Sequence, residues 1–346
     1  MRIESLILRD FRSYAESRFE FSSPRVIFVG PNGAGKSNLL EAIGYLSVLR
    51  SFRGAPPREM AALDKRVFTI GVRLDRGGRK KELMIRETVG VKRELFEDRA
   101  PVRKSSDFIG HFRTVVFAPE DRQIVSAGAS HRRRFFDMLI SVLEPKYFST
   151  LGSFNRALKQ RNKALRSGGK GAEFFLPEIL ECTPVLTAFR REYAAMVEAE
   201  VDKLLGKKRF TLTPRFSAPG NKDEFLEMLR REGDRELRRG VTLYGPHLDD
   251  FEMFLDDKPL RLCGSTGQIR MISLYLKLAE FSLVKRLSEL PVLALVDDVT
   301  CELDVENTDR FLELTRVADQ AFFTFAARPD NAFFASAQEI LLPGAV

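Results

Sequence analysis

Apolar and polar positions alternate with a period of two through residues 1–121, which predicts half-buried strands. Ile3, Leu6 and Leu8 begin one, and Arg25-Val26-Ile27-Phe28-Val29 is a short buried run that ends at a glycine. Phe68, Ile70, Val72 and Leu74 form another. The turn Asp75-Arg76-Gly77-Gly78-Arg79 then leads to Leu83 and Ile85, the pattern of a hairpin. A further extended stretch is expected over residues 93–118, ending in Thr114-Val115-Val116-Phe117.

From residue 122 to 240 the period changes. Phe148, Leu151, Phe154, Leu158 and Leu165 recur at helical spacing, as do Leu186, Phe189, Tyr193, Met196 and Leu204. Two amphipathic helices joined by Ser167-Gly168-Gly169-Lys170-Gly171 are expected. At 1.5 Å per residue they make an arm of roughly 30 Å. Alternating α/β patterning returns over 241–346, with a helix at 267–287, a buried strand at 292–296, a helix near 305–317 and a strand at 321–325.

Charge adds an asymmetry to this picture. The chain of 346 residues has a net charge of +8, and residues 122–240 hold 24 Lys/Arg against 15 Asp/Glu, a net of +9. The remainder holds 32 against 33, a net of −1. Two readings fit a basic helical insert: a surface for a polyanion, of which DNA or RNA is the commonest, or a solvated Arg-rich face. Cys182, Cys263 and Cys301 form no C-x-x-C pair, so neither a disulfide framework nor a zinc site is expected, and a cytoplasmic location is. The charged opening residues are unlike a signal peptide, and no apolar run approaches the ~20 residues of a membrane span. No membrane partner is expected.

Gly30-Pro31-Asn32-Gly33-Ala34-Gly35-Lys36-Ser37 fits G-x-x-x-x-G-K-[ST]. Each residue type answers a need of a phosphate chain. Glycines let the backbone wrap so that N–H groups point inward. Lys36 reaches the β- and γ-phosphates, Ser37 coordinates Mg2+, and an amphipathic helix from Asn38 presents its positive N-terminus. ATP is therefore expected at residues 30–38. Far downstream, the apolar run 292–296 leads into Asp297-Asp298, the end of a Walker B strand. Asp297 would hold Mg2+ with Ser37, and Asp298 would orient or polarise the attacking water, so Lys36, Asp297 and Asp298 are the expected catalytic residues. Two exposed acids at a strand end also satisfy that pattern when taken alone; the P-loop upstream favours the catalytic reading.

Gly264-Ser265-Thr266-Gly267-Gln268 precedes the next helix. Alone this is an ordinary helix cap. One helix ahead of a Walker B strand, it reads as a second anion nest. One nucleotide has no need of two nests in one chain, so Ser265, Gly267 and Gln268 are expected to complete, in trans, the γ-phosphate site of a second copy. Glu302-Leu303-Asp304 follows, with Asp304 at the dimer seam as D-loop residues are, and Thr324 lies at the end of the next strand. This order defines an α/β fold of the ABC type, a P-loop NTPase head split by an inserted helical arm or lid. Residues 1–121 and 241–346 form the expected head and 122–240 the arm. Transporter ATPases carry Glu where this chain has Asp298 and commonly a histidine where it has Phe325. Both departures predict weak hydrolysis, with ATP acting mainly as the glue of a switchable homodimer.

These residues resemble RecF, a family of bacterial recombination-mediator ATPases related to the SMC proteins. The resemblance runs through Leu8-Arg9-Asp10-Phe11-Arg12-Ser13-Tyr14, Asn38-Leu39-Leu40-Glu41-Ala42-Ile43 and Arg50-Ser51-Phe52-Arg53. It continues through Phe117-Ala118-Pro119-Glu120-Asp121, Arg132-Arg133-Arg134-Phe135-Phe136-Asp137, Gln160-Arg161-Asn162, Gly245-Pro246-His247 with Asp249-Asp250, residues 265–270 and residues 297–304. It implies ATP-dependent dimerisation, binding of double-stranded and gapped or junction DNA, and action with RecR and RecO in helping RecA replace single-strand-binding protein. Leu248 stands where the family usually has Arg, Cys301 where it has Ser, and Ile269 where it has a second Gln.

A sequence-independent DNA clamp would set Lys/Arg against phosphates. Candidates are Arg132, Arg133 and Arg134, then Lys159, Arg161, Lys163 and Arg166, then Lys207, Lys208 and Arg209, with Phe52 and Arg53 from the head. Each alone reads first as a solvated surface charge, and some of the 132–134 group would instead pack against the head or dimer partner. Arg12 is expected near the base or ribose, and His247 is expected to be structural. An ATPase subunit of a membrane transporter is the alternative reading, against which the basic arm and Phe325 count. A decayed, non-enzymatic scaffold is opposed by intact Lys36, Ser37, Asp297 and Ser265.

Overall fold

Two sheets clasp one helix in the first unit of the chain, Met1–Pro119 with Val284–Val346. The computed structural model describes residues 1–206, 208–298 and 305–344. A five-stranded parallel sheet runs, edge to edge, Gln338–Leu341, Arg25–Val29, Gln320–Phe325, Val292–Asp297 and Arg113–Phe117. A six-stranded antiparallel sheet runs Tyr14–Glu20, Arg2–Phe11, Val67–Arg76, Arg79–Thr88, Lys92–Glu97 and Ala100–Pro101.

Helix Lys36–Val48 supplies Leu39, Leu40, Ile43 and Leu46 to a core shared with Ile3, Leu6 and Leu8 of one sheet and Phe28, Leu295 and Phe322 of the other. The amphipathic helix expected after the P-loop is therefore buried nearly all round, because it has a sheet to cover on each side. Each such Leu, Ile or Phe contributes about 1.5–3 kcal/mol on burial. Strand Val292–Asp297 is buried at every position, as a central parallel strand must be. The two sheets are also tied by a side chain. Buried Gln320 accepts the Ile3 N–H (2.7 Å) and donates to the Ile3 carbonyl (3.1 Å), taking the place of a strand neighbour.

The hairpin at 75–80 closes through Gly77 and Gly78, both at positive φ (64° and 86°), the conformation a two-residue turn between twisted strands requires. The extended stretch expected over 93–118 is interrupted by helix Ser105–Ile109. Phe108 of that helix and Phe112 just beyond it both reach the core.

The second unit is Glu120–Leu283. It holds helices Ala129–Leu143, Pro145–Arg166 and Leu176–Leu205, and a three-stranded antiparallel sheet of Lys258–Pro259, Asp250–Leu255 and Phe210–Arg215. The two long helices form the expected hairpin around the glycine-rich loop. The second spans 30 residues, about 45 Å at 1.5 Å per residue and longer than expected, because it continues through Pro184. The second boundary falls at 283/284 rather than 240/241. Strand Asp250–Leu255 pairs with Phe210–Arg215, and Asp250 binds Arg132 of the first helix, so residues past 240 stay with the insert.

A buried ionic cluster sits at the base of this unit. Arg190 is 1% exposed; its guanidinium donates to Asp249 Oδ2 (2.7 Å), Asp137 Oδ1 (2.8 Å), the Pro246 carbonyl (2.6 Å) and Tyr147 Oη (3.0 Å). The motifs at 132–137 and 245–250 thus meet to satisfy one buried cation. His247 belongs to the same wall. Its Nε2 lies 3.1 Å from the Thr242 carbonyl, its ring faces Phe154, and burial lowers its pKa, as befits a structural histidine.

Candidate active site

The parallel register aligns the carboxyl ends of three strands. Phe325 pairs with Val29 and Asp297 with Thr324, so the P-loop, Asp297 and Thr324 emerge side by side. Open α/β sheets bind ligands at this edge. Gly35 has φ 89°, a conformation that strains any residue with a Cβ, and a Cβ there would also lie 2.8 Å from Tyr14 Oη and 2.9 Å from Ser13 Oγ. A Cβ on Gly30 would lie 2.5 Å from the Leu342 carbonyl oxygen.

Lys36 folds back over the loop, its ammonium donating to the carbonyls of Gly30 (2.8 Å) and Pro31 (2.9 Å). An ammonium has three donors, so this places the charge within the loop's arc with one donor to spare. Ser37 Oγ donates to Asp297 Oδ1 at 2.7 Å, and Thr324 Oγ1 donates to the same oxygen at 2.8 Å. Thr324 Oγ1 in turn accepts the Asp298 N–H at 3.0 Å. Asp298 sits at φ 54°, and its buried Oδ1 accepts no hydrogen bond among the described residues. The left-handed backbone is one that Asp adopts more readily than most residues, and the unsatisfied buried acceptor is the unusual feature of this position.

The donor set fits Mg2+. A hydroxyl and a carboxylate in contact are hard oxygen ligands, and no cluster of three or more His, Cys, Asp or Glu competes among the described residues. Mg2+ is ordinarily held this way, by one or two protein oxygens with phosphates and water completing the shell.

Two contributors escaped the sequence reading. Arg53, expected at DNA, lies 3.6 Å from Asp297 Oδ2 and donates to Asn38 Oδ1 at 3.4 Å, beside the P-loop. Glu41 is fully buried and organises the loop that carries Arg53. It accepts two bonds from Arg12 (2.8 and 2.9 Å) and one from Ser51 Oγ (2.5 Å). Ser51 Oγ accepts the Arg53 N–H (3.1 Å) and the Ala55 N–H (3.2 Å). Their signal was an acid within the apolar stretch 39–46 and an Arg one short loop beyond the helix.

The remaining expected residues divide. Arg12 stands beside the contacts that its hairpin makes with the P-loop, where Asn38 Nδ2 donates to Ser13 Oγ and Tyr14 Oη donates to the Gly35 carbonyl, but its guanidinium is clamped on Glu41. Ser265 Oγ accepts the Gln268 N–H (3.2 Å) and Gln268 Oε1 accepts the Ser265 N–H (2.9 Å), a reciprocal capping box on an exposed turn. Arg132 and Arg161 are withdrawn as DNA contacts. Both are 4% exposed; Arg132 is bonded to Asp250 and Arg161 to Glu236 and Thr242. Arg133 is half-buried and donates to the Asp249 carbonyl at 2.7 Å. Lys159 and Lys208 are exposed. Lys207 and Asp304 lie outside the described residues.

Known proteins share this architecture. The family described as RecF/RecN/SMC N terminal domain matches residues 2–341. The DNA replication and repair protein RecF of Leptospira interrogans (strain Fiocruz L1-130) is 35% identical over 337 residues, covering 94% of this chain and 91% of that protein. RecF of Cyanothece sp. (strain PCC 7425) is 33% identical over 343 residues, covering 94% and 91%. A solved structure of the recombination mediator protein RecF with ATP superposes with a TM-score of 0.87 at 27% identity, covering 95% of this chain and 93% of that one. An SMC head bound to a domain of ScpA superposes with a TM-score of 0.52 at 14% identity, a likeness of fold alone. These relatives act in DNA replication and repair, which disfavours the transporter reading. A complete P-loop site on an SMC-like head, matched nearly end to end by these relatives, places the chain in the RecF family of DNA replication and repair proteins.

Proposed function

We propose that this protein uses ATP and Mg2+ to close two copies around double-stranded DNA near gaps or junctions. It hydrolyses ATP slowly under stimulation by DNA. With RecR and RecO, it helps RecA displace single-strand-binding protein in the cytoplasm. The observation that carries the nucleotide part is the Ser37–Asp297–Thr324–Asp298 chain at the mouth of the P-loop. Within it, Lys36 binds the β- and γ-phosphates, Ser37 and Asp297 present oxygens to the cation, and Asp298 orients water at the γ-phosphate. Bound Mg2+ neutralises charge on the phosphate oxygens. Arg53, tethered to Asp297 and Asn38, is placed to turn toward the phosphates.

Support for dimerisation comes from Gly267. A Cβ there would meet nothing within 4 Å, and its φ is not positive, so the chain's own fold does not demand a glycine. A residue without a side chain on an exposed helix N-terminus suits close approach by another molecule's phosphate. Mass in solution tests the proposal, measured with and without ATP and Mg2+, each with and without a gapped duplex. A dimer that needs ATP and is strengthened by DNA is the expected result. A monomer under every condition refutes ATP-dependent pairing of this chain alone.

A further inference from the structure

Helix Pro145–Arg166 contains six Lys/Arg and no Asp or Glu. Its cations divide by face. Arg161 points into the protein and is bonded to Glu236 and Thr242. Arg156, Lys159, Lys163 and Arg166 are exposed, and none forms an ion pair with the described residues. Their spacing of three, four and three residues lines them along one side of the helix for about 15 Å. Lys170, exposed in the loop beyond, continues the series.

Like charges at these spacings repel and destabilise a helix. The buried cations of the same unit, Arg132, Arg161 and Arg190, are each paired with a carboxylate. Lys163 and Arg166 also face the negative end of the helix in its last turn, but Arg156 and Lys159 do not, and a row of four cations suits a partner that carries many evenly spaced negative charges. We propose that Arg156, Lys159, Lys163 and Arg166 form a track for the phosphate backbone of duplex DNA, reading no sequence. This inference rests on the DNA-clamp reading above and assigns its contact surface.

The test uses the full-length chain with ATP and Mg2+ and a fluorescent gapped duplex, titrated at several salt concentrations. The variant replaces Arg156, Lys159, Lys163 and Arg166 with Gln; the control replaces exposed Arg103 and Lys104 with Gln. The track predicts that the quadruple variant loses about tenfold or more in affinity at 0.15 M salt, and that its salt slope flattens by about 0.9 for each phosphate contact removed. The control keeps the wild-type slope, and the unfolding temperature of the quadruple variant stays within a few degrees of wild type, relief of repulsion offsetting the helix-end charges lost. Unchanged affinity and slope beside a binding wild type overturn the track and leave the clamp standing. A fall in unfolding temperature far beyond the few degrees that two helix-end charges supply also overturns it, since the cations would then be structural. If the wild type binds no DNA with ATP, the clamp reading itself fails and the track with it.

Discussion

Ser37 Oγ donates a 2.7 Å hydrogen bond to Asp297 Oδ1, joining residues 260 positions apart in the chain. The contact puts the two oxygens that suit one cation at the mouth of the P-loop. Asp297→Asn keeps the shape and removes the charge. Turnover with Mg2+ is expected to fall by about 10²–10³-fold, the scale of losing one main electrostatic group. ATP binding without Mg2+ should change little. Turnover within tenfold of wild type would remove Asp297 from the metal site.

Glu41 bears on the same site through Ser51 and Arg53. Arg53→Ala and Ser51→Ala are each expected to lower kcat while leaving the affinity for ATP within about threefold. Because Ser51 acts by holding the Arg53 loop, the double variant should be no worse than Arg53→Ala, a coupling of about 1–2 kcal/mol. Ser51→Ala leaves the Arg12–Glu41 pair intact, so loss of fold does not confuse the cycle. Additive losses would show that Ser51 and Arg53 act separately.

The P-loop, the Asp297 strand end and the Ser265 turn were legible in the sequence because each packs its chemistry into a few adjacent residues. The arginines were not. Arg132 meets Asp250 at a separation of 118 residues and Arg161 meets Glu236 at 75, so nothing local distinguishes them from solvated surface cations. The domain boundary was missed for the same reason: strand Asp250–Leu255 looks like a return to the head until its partner, Phe210–Arg215, is known. Glu41 and Arg53 are similar cases, joined only through the turn at Ser51.

Ser265 has two possible uses, capping its own helix and meeting a phosphate on a second copy, and two substitutions separate them. Ser265→Ala loses the cap at a cost of about 1 kcal/mol. Ser265→Asp keeps a good cap but carries a negative charge. A phosphate contact predicts that both variants bind ATP, that neither dimerises with it, and that the Asp variant retains wild-type stability. Full ATP-dependent dimerisation of Ser265→Asp, measured by solution mass, would leave Ser265 as a cap alone.

Acid should loosen the base of the helical unit. Burial pushes the Asp250 carboxyl up, but the hydrogen bond and charge of Arg132 outweigh it and hold the pKa below the usual value of 3.8. A lowered folded-state pKa contributes stability above pH 3.8 that disappears as pH falls through the lower, folded value. Asp249 runs the other way, raised by burial in spite of Arg190, so the Asp250 share must be read by difference. Asp250→Asn should cost about 3 kcal/mol at pH 7, where it strands the buried Arg132. Its urea midpoint should then fall less than that of wild type between pH 5 and 3. Parallel curves would show that the pair contributes no acid sensitivity.

Asp298 is the residue on which turnover should depend most directly. Its N–H is anchored on Thr324 Oγ1, its backbone is held at φ 54°, and its Oδ1 is buried without a hydrogen-bonding partner among the described residues. Such an acceptor is costly to bury unless something fills it, and a water lined up on the γ-phosphate would do so. Asp298→Asn preserves the anchored N–H and the size of the side chain but weakens the acceptor, so hydrolysis should fall by about 10²-fold or more. Binding of ATP and pairing of two copies precede that step, so the variant should accumulate as an ATP-bound dimer that persists on gapped DNA. Thr324→Val frees both aspartates at once and should lower turnover and Mg2+ dependence together. Rapid turnover by Asp298→Asn, or a dimer that dissociates at the wild-type rate, would assign activation of the water to another group.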